Sequence, residues 1–233
     1  MKIALLGYGK MGQTIARLAK ENRHEIVVAT NDSSSISDFN GAEVAIDFSI
    51  PTAAYNNIKF ALDAGVPVIS GTTGWLEELP RIESYCQEKK GAFLYASNFS
   101  VGVNIFFAIN KKLAELMGQQ PQYQSQITEI HHTQKLDKPS GTAISLAEQV
   151  LKFSQKQAWA LQNNDPNDLW IDSIREGDVK GTHHVQYKSA VDTLTISHEA
   201  HSRDGFALGA IYAAQWIIGK QGVFSMQDVL NLS

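Results

Sequence analysis

The sequence predicts an α/β protein of two domains, a parallel β-sheet covered by helices and an α+β domain with a mixed or antiparallel sheet. Short apolar runs alternate with amphipathic helical stretches from residue 1 to about residue 100, which is the pattern of strands joined by crossover helices. After Asn98 the pattern changes to a long helix and to strands with period-two alternation. We therefore expect residues 1–100 and 204–233 to form the first domain and residues 101–203 to form the second.

Five short apolar runs define the strands of the first sheet. They are residues Lys2–Leu6, 25–29, 44–48, 66–70 and Ala92–Tyr95. Between these runs apolar residues recur at spacings of three and four, which indicates one buried helical face in each connection. The residues that carry this spacing are Met11, Ile15, Leu18 and Ala19 in the first connection and Ile58, Ala61 and Leu62 in a later one. Right-handed strand–helix–strand units follow from this order.

Longer and partly polar strands define the second domain. A long helix is predicted at 103–117, a second helix at 142–153, and strands at Gln124–His131, 183–188 and 193–200. The segment 155–167 is rich in Gln, Asn and Asp, and we interpret it as a mobile excursion. The strongly apolar helix at 205–219 is expected to pack back on the first domain.

Composition narrows the class of protein. A hydrophobic fraction of 43% and a charged fraction of 19% are typical of a globular protein, and no apolar run is long enough for a membrane span. The formal net charge of -4 gives no broad basic field, so nucleic acid is not an expected partner. Cys86 is the only cysteine, which excludes an internal disulfide, and the N-terminus enters a strand without a secretory apolar core. We therefore expect a soluble, cytoplasmic protein.

A glycine-rich loop follows the first predicted strand and opens the first predicted helix. It has the sequence Gly7-Tyr8-Gly9-Lys10-Met11-Gly12. In this spacing the first glycine permits a tight turn, the second lets the backbone approach a pyrophosphate, and the third allows close packing of helix on strand. A tight turn without a ligand is the alternative, but the strand–helix–strand context favours a dinucleotide site and a Rossmann-type domain.

The end of the second strand bears on the choice of nicotinamide cofactor. An acidic side chain there normally binds the ribose hydroxyls of NAD and repels the extra phosphate of NADP. Here the neutral Asn31 precedes Asp32. Asn31 can hydrogen-bond a hydroxyl or a phosphate oxygen, and Lys10 is suited to reach a 2′-phosphate. We therefore expect NADH or NADPH to serve, with a preference of about tenfold or less.

A segment rich in histidine and lysine ends the first strand of the second domain. It reads Glu129-Ile130-His131-His132-Thr133-Gln134-Lys135-Leu136-Asp137-Lys138-Pro139-Ser140-Gly141-Thr142. His131 and Lys135 are suited to donating protons or stabilising the negative charge that develops as a hydride arrives, as in imine or enamine reduction. The helix N-terminus at the Ser-Gly-Thr turn, with Lys135 and His132 nearby, is suited to a carboxylate substrate. The alternative is a solvated loop before an N-capped helix, and the glycine-rich loop upstream favours the catalytic interpretation.

Metal binding is the other reading of the histidines. His131-His132 and His183-His184 are adjacent pairs. Because neighbouring residues on a strand point to opposite faces, neither pair can easily share an ion, and we expect no metal site.

Several motifs follow one another along the chain. They are Gly7 to Gly12, Asp47-Phe48-Ser49-Ile50-Pro51, Gly71-Thr72-Thr73-Gly74, Ala96-Ser97-Asn98-Phe99-Ser100, the segment from His131 to Thr142, Ser202-Arg203 and the closing Phe224-Ser225-Met226-Gln227-Asp228-Val229-Leu230. In this order they resemble the 4-hydroxy-tetrahydrodipicolinate reductase (dihydrodipicolinate reductase) family of bacterial lysine and diaminopimelate synthesis. His-His-x-x-Lys followed by Pro-Ser-Gly-Thr is the most distinctive stretch, and the resemblance covers essentially the whole chain.

The resemblance implies a role for individual residues. The cofactor phosphates would be held by Gly7, Lys10, Met11 and Gly12, and the nicotinamide bordered by Gly71, Thr73, Asn98 and Phe99. His131 would be the proton donor with Lys135 as its catalytic companion. The dicarboxylate ring would be held by His132, Lys135, Ser140, Gly141 and Thr142. The resemblance further implies a homotetramer assembled through the second-domain sheets, and a hinge at about residues 100 and 203.

Two other functions are weighed against this one. A small oxidoreductase acting on an amino-acid semialdehyde would normally offer a cysteine nucleophile, and Cys86 is badly placed for that role. A nucleotide-sensing module would keep the glycine-rich loop but would not need the segment from His131 to Thr142. The presence of that segment favours an enzyme.

Overall fold

The computed structural model describes residues 1–32, 38–162 and 164–232. The chain divides into two compact units. The first comprises Met1–Asn104 with Asp204–Ser233, and the second is Ile105–Arg203. No helix within the described ranges is both long and apolar enough to cross a membrane.

The first unit begins with five strands and their connecting helices. In chain order they are β1 (Lys2–Leu6), α1 (Lys10–Glu21), β2 (Glu25–Thr30), β3 (Val44–Asp47), α2 (Pro51–Asp63), β4 (Val68–Ser70), a 3₁₀ turn (Leu76–Glu78), α3 (Leu79–Glu88) and β5 (Ala92–Tyr95). The helix α4 (Val101–Met117) leads into the second unit.

The second unit holds the longer strands. They are β6 (Gln124–His131), β7 (Ala158–Ala160), β8 (Asp168–Arg175), β9 (Thr182–Lys188) and β10 (Thr193–Glu199), with helix α5 (Gly141–Leu151) between β6 and β7. The chain then returns to the first unit through α6 (Asp204–Ile217), β11 (Gly222–Phe224) and α7 (Met226–Leu230).

The first sheet has the order β11-β5-β4-β3-β1-β2, and every recorded pair in it is parallel. Because alternate side chains of a strand face opposite sides, β1 contributes to two cores. Ile3 and Leu5 pack with α1 and α6, whereas Ala4 and Leu6 pack with α2 and α3. The predicted parallel sheet with helices on both faces is confirmed.

The second sheet has the order β10-β9-β6-β8-β7. The pairs β10–β9 and β9–β6 are antiparallel, whereas β6–β8 and β8–β7 are parallel, so the sheet is mixed, as predicted. Its core lies between the sheet and the helices α4 and α5, where Ile127, Leu146, Ile171 and Val185 are buried.

The interpretation of 155–167 as a mobile excursion is wrong for part of its length. Residues Ala158–Ala160 form β7, which pairs with Asp168–Trp170 at the start of β8. Three residues are too few to show alternation, so the strand exists because β8 offers it an edge. Asn163 lies outside the described residues.

Candidate active site

The glycine-rich loop of the first unit forms a tight turn between β1 and α1. Gly7 has a φ of 106°, and a side chain there would overlap the carbonyl of Phe48. A side chain on Gly12 would overlap the carbonyl oxygen of Gly7. Gly9, in contrast, has no atom of the described residues within 4 Å of the place where a Cβ would lie. The packing of the loop therefore requires glycine at positions 7 and 12, whereas Gly9 is not required for packing and leaves open space.

The N-terminus of α1 is available to an anion. Gly9 is the N-cap residue and offers no side-chain oxygen to the amides of the first turn. Gly9 and Lys10 are exposed, and Met11 is half-buried. Unpaired amides and the positive end of the helix dipole at an open glycine fit the pyrophosphate of a dinucleotide.

The neutral side chain at the end of β2 is tied to this loop. The backbone amide of Tyr8 donates to Oδ1 of Asn31 at 2.6 Å. Because the amide oxygen of Asn31 is occupied, its Nδ2 group is the part that remains to donate to a ligand. A donor suits a ribose hydroxyl or a phosphate oxygen.

A buried aspartate braces the loops after β3 and β4. The carboxylate of Asp47 accepts hydrogen bonds from the side chains of Ser49 (2.7 Å), Asn57 (2.9 Å), Ser70 (2.8 Å) and Thr72 (2.7 Å). Burial raises the pKa of Asp47, and these four hydrogen bonds act in the opposite direction. The network fixes the backbone on which the predicted residues Gly71 and Thr73 lie.

The predicted nicotinamide neighbours differ in exposure. Thr73 is exposed, and Gly71 and Asn98 are half-buried. Phe99 is 1% exposed and packs against Phe48 in the core, so the residue as a whole offers little surface to a ligand. Asn98 accepts the amide of Ser100 through Oδ1.

A buried carboxylate lies at the centre of the predicted catalytic segment in the second unit. Glu129 is 0% exposed on β6, and the amide of Ser140 donates to both of its oxygens at 3.1 Å. Ser173 Oγ and Arg175 Nη2 donate to Oε1 at 2.5 and 3.1 Å. Burial alone would raise the pKa of Glu129, but hydrogen bonds led by those from His131, Ser140 and Ser173 outweigh it and hold the pKa well below its usual range. Glu129 is therefore an anion.

Two histidine rings meet beside this carboxylate. Nε2 of His131 lies 3.3 Å from Glu129 Oε2, and Nε2 of His183 lies 3.7 Å from the same oxygen. The two Nε2 atoms are 3.4 Å apart, and both rings are buried. Burial, with the nearby charge of His131, lowers the pKa of His183 to about 3, so this second ring is neutral.

The predicted lysine is held by a neighbouring carboxylate. Nζ of Lys135 lies 2.7 and 2.6 Å from the two oxygens of Asp137. Arg175 donates to the backbone carbonyls of Lys135 and Asp137 and so fixes the loop that carries the pair. The Asp137 side chain is 58% exposed, so replacing Asp137 by another carboxylate as the partner of Lys135 costs little free energy.

The Ser-Gly-Thr turn is a helix N-terminus. Ser140 is the N-cap of α5, and its buried hydroxyl accepts the amide of Ala143 at 3.2 Å. The Ser140 hydroxyl also lies 3.2 Å from Nε2 of His183. Gly141 is exposed and Thr142 half-exposed. Ser140 therefore shapes the turn, whereas Gly141 and Thr142 are the members open to an anion.

A cation that the sequence reasoning did not use lies next to His132. Nη2 of Arg203 lies 2.9 Å from Nε2 of His132. A guanidinium can bind a carboxylate through two nitrogens, which makes Arg203 a further candidate for the carboxylate of a substrate.

The structure brings together three possible metal ligands that the two adjacent histidine pairs do not reveal. Glu129, His131 and His183 offer ligand atoms within 4.8 Å of one another, because Glu129 faces His183 across the sheet. The carboxylate is paired with Arg175 and accepts hydrogen bonds from Ser140 and Ser173, so protein groups already contact both of its oxygens. The absence of a metal stays a prediction.

Sequence reasoning missed the residues that come together through strand pairing. Glu129 lies opposite both His183 on β9 and Ser173 on β8. Four residues were given no role in advance: Glu129, Ser173, Arg175 and His183. One signal was present, since Glu129 and His131 both occupy inward positions of a strand where an apolar side chain is the rule.

Family models match both parts of the chain. A model described as "Dihydrodipicolinate reductase, N-terminus" matches residues 1–99, and one described as "Dihydrodipicolinate reductase, C-terminus" matches residues 102–230. Together they cover both sites described above.

Curated relatives match over nearly the full length. A 4-hydroxy-tetrahydrodipicolinate reductase of Christiangramia forsetii is 49% identical and covers 99% of this chain and 98% of its own. The protein of the same name from Caldanaerobacter subterraneus subsp. tengcongensis is 34% identical, with 96% and 95% covered.

Solved structures share the fold. A dipicolinate-bound dihydrodipicolinate reductase from Paenisporosarcina sp. TG-14 superposes with a TM-score of 0.76 at 20% identity, and 97% of each chain is covered. GenD2 from gentamicin A biosynthesis, in complex with NAD, gives a TM-score of 0.58 at 10% identity, covering 100% of this chain and 90% of GenD2.

Proposed function

The chain belongs to the dihydrodipicolinate reductase family, and from that membership we propose how its residues reduce 4-hydroxy-tetrahydrodipicolinate to tetrahydrodipicolinate. The protein is an NAD(P)H-dependent oxidoreductase of lysine and diaminopimelate biosynthesis. In this reaction the ring gains one hydride and one proton and loses its hydroxyl group as water.

The first unit supplies the cofactor site. The amides at the N-terminus of α1 bind the pyrophosphate, and the open space at Gly9 lets it approach the backbone. The loops braced by Asp47 carry Gly71 and Thr73 to the nicotinamide. A bound NADH or NADPH supplies the hydride. Asn31 Nδ2 and Lys10 meet the ribose or its 2′-phosphate.

The second unit supplies the dicarboxylate site. Lys135 exchanges Asp137 for one substrate carboxylate, which lies against the amides of Gly141 and Thr142 at the positive end of α5. Arg203, with His132 beside it, provides the second cationic position. The relative from Paenisporosarcina sp. TG-14 is described with dipicolinate bound, which supports a planar dicarboxylate as ligand.

His131 supplies the proton. Its ring lies against the ionised Glu129, with Nε2 3.3 Å from the carboxylate, which orients the ring. Lys135 stabilises the negative charge that develops on the ring as hydride arrives. The observation that carries the proposal is this convergence of a histidine on a buried carboxylate with a helix N-terminus and a displaceable lysine.

The assay follows nicotinamide absorbance with freshly generated product of dihydrodipicolinate synthase. We expect oxidation of both NADH and NADPH and competition by pyridine-2,6-dicarboxylate. His131→Gln is expected to lower kcat by about 100-fold and to leave the Kd of the cofactor unchanged. Wild-type kcat in His131→Gln would refute the catalytic assignment, and failure of the dicarboxylate to compete would refute the site.

We also propose a homotetramer assembled through the second sheet. Ile127, Ile171 and Val185 face the helices, so the intervening residues face the other side, where polar groups mix with half-buried Trp170. A mixed face of this kind suits a contact between subunits. Light scattering should give four subunits, and Trp170→Glu should give smaller species. A wild-type monomer would refute this proposal.

The reaction is proposed to take place in the cytoplasm. The one cysteine, Cys86, is buried and unpaired, and burial raises the pKa of its thiol to about 11, which keeps it in the unreactive form. Fractionation of the cells that make the protein would test the location, and activity confined to an exported fraction would contradict it.

A further inference from the structure

Resting on the proposed role of His131, we propose that Glu129 is a positioning residue for the proton transfer. Its carboxylate accepts the Nε2 proton of His131, which leaves Nδ1 as the nitrogen that delivers a proton to the substrate. The same carboxylate anchors the turn that binds the substrate carboxylate. One buried negative charge therefore sets both the tautomer of the proton donor and the place of the ring that receives the proton.

Glu129 is present as an ionised carboxylate. Ser140, Ser173 and Arg175 place three donors on it, and one of them is a guanidinium at 3.1 Å. An ionised carboxylate only accepts hydrogen bonds. The His131 nitrogen that faces it at 3.3 Å must therefore carry a hydrogen. Because a neutral imidazole carries one hydrogen, Nδ1 is then the free position, which gains the proton to be transferred.

The neighbouring ring of His183 does not compete with His131 for the negative charge of Glu129. His183 lies edge-on to His131, with ring centroids 5.1 Å apart and an angle of 72°. The Nδ1 atom of His183 has no hydrogen-bond partner among the described residues, so its one proton belongs on Nε2, where Ser140 Oγ lies 3.2 Å away. A second imidazolium at this distance would repel the first, and its burial keeps His183 neutral.

Close packing against Gly181 fixes the position of the His131 ring. Gly181, with a φ of 148°, approaches it from β9's N-terminal side, and a Cβ there would lie 3.0 Å from His131 Cε1 and 3.3 Å from Nδ1. The charged or titratable groups recorded next to this pair of rings are Glu129 of β6, Arg175 of β8, His198 of β10 and Lys135 of the loop. Glu129 is the anion in direct contact with His131.

The carboxylate of Glu129 is also connected to the substrate turn. Glu129 accepts the amide of Ser140, which is the N-cap of α5. A buried amide with such a partner holds the helix N-terminus at a fixed place relative to β6. The distance from His131 to the carboxylate-binding amides is thus set by a single side chain.

The experiment compares Glu129→Gln with Ser173→Ala. Glu129→Gln removes the charge at nearly constant shape, whereas Ser173→Ala removes a donor to the same carboxylate and leaves its charge. We expect Glu129→Gln to lower kcat by about tenfold or more and to move the alkaline limb of the kcat–pH profile by about one unit to lower pH, because an imidazolium without its anion loses its proton more easily. The Kd of the cofactor should stay at the wild-type value. Ser173→Ala should keep the wild-type position of the alkaline limb.

The outcomes separate this inference from the proposed function. An inactive His131→Gln with an unmoved limb in Glu129→Gln would refute the positioning role and leave the catalytic role of His131 in place. A fully active His131→Gln would refute the proposed function itself.

A measurement on the wild type keeps the inference testable if Glu129→Gln does not fold. In the ¹⁵N-histidine-labelled protein at alkaline pH, NMR should show the hydrogen of His131 on Nε2. A ring with its hydrogen on Nδ1 would overturn the proposal.

Discussion

At the scale of single residues, Lys135 is already paired before any substrate arrives. Hydrogen bonding to Lys135 holds the pKa of Asp137 below its usual range, so Asp137 is a resident anion at the proposed carboxylate position. We predict that Asp137→Asn lowers the KM for substrate by a few-fold, because the competing carboxylate is removed. Lys135→Ala should raise this KM and lower kcat together. Steady-state rates measure both constants.

The matched control for these two variants is Lys138→Ala. Lys138 is exposed in the same loop, and its removal changes the net charge by the same amount as Lys135→Ala. A KM for Lys138→Ala that rises as much as that of Lys135→Ala would mean that the loop acts through net charge and not through the position of Lys135.

The choice between NADH and NADPH is a second prediction that concerns single residues. Asn31 gives its oxygen to Tyr8, so it presents a donor, and Lys10 is exposed at the start of α1. We predict kcat/KM values for NADH and NADPH within about tenfold of each other, because one exposed charge pair is worth on the order of 1 kcal/mol. Lys10→Ala should shift the ratio toward NADH. An unshifted ratio, or a wild-type discrimination above about a thousandfold, would contradict this prediction.

At the scale of elements, two glycines of one loop should separate packing from binding. A methyl group on Gly12 meets the carbonyl of Gly7, whereas one on Gly9 meets no atom in the described part of the chain. We predict that Gly12→Ala lowers both the melting temperature and the affinity for cofactor. Gly9→Ala should lower the affinity alone, because its methyl group occupies the approach of the pyrophosphate. Differential scanning fluorimetry and titration with NADH measure the two effects, and equal melting losses would contradict the assignment.

The same scale shows how far the sequence predicts the structure. The first five strands of the parallel sheet follow from their apolar runs, and β6 and β9 follow from their alternation, but the three-residue strand β11 was missed. The strand β8 was missed because its inward positions Ser173 and Arg175 are polar, which breaks the alternation after Ile171. Ser173 and Arg175 are polar because both donate hydrogen bonds to the carboxylate of Glu129. The register that brings Glu129 opposite His183 depends on pairing between distant segments, and no local pattern specifies it.

At the scale of the whole molecule, the buried His183 makes stability depend on pH. Its pKa is lowered from 6.5 to about 3 in the folded protein, so the unfolded chain takes up a proton first as the pH falls. Stability is therefore lost progressively below about pH 6.5, by about 2 kcal/mol at pH 5 from this group. We predict that the fall in melting temperature between about pH 7 and pH 5 is smaller in His183→Gln. An identical fall would mean that His183 is protonated in the folded protein.

The return of the chain to its first sheet after residue 203 has a consequence for synthesis on the ribosome. The helix α6 packs so closely that Gly209 leaves no room for a side chain against Phe99, and β11 completes the sheet beside β5. The residues 1–104 therefore lack one wall of their core until the last segment has left the exit tunnel. The second unit is continuous in sequence and emerges complete before that moment. We expect the second unit to fold before the first, although it is synthesised after residues 1–104. Chaperones are expected to cover Ile3, Leu5 and Phe99 until α6 and β11 have emerged.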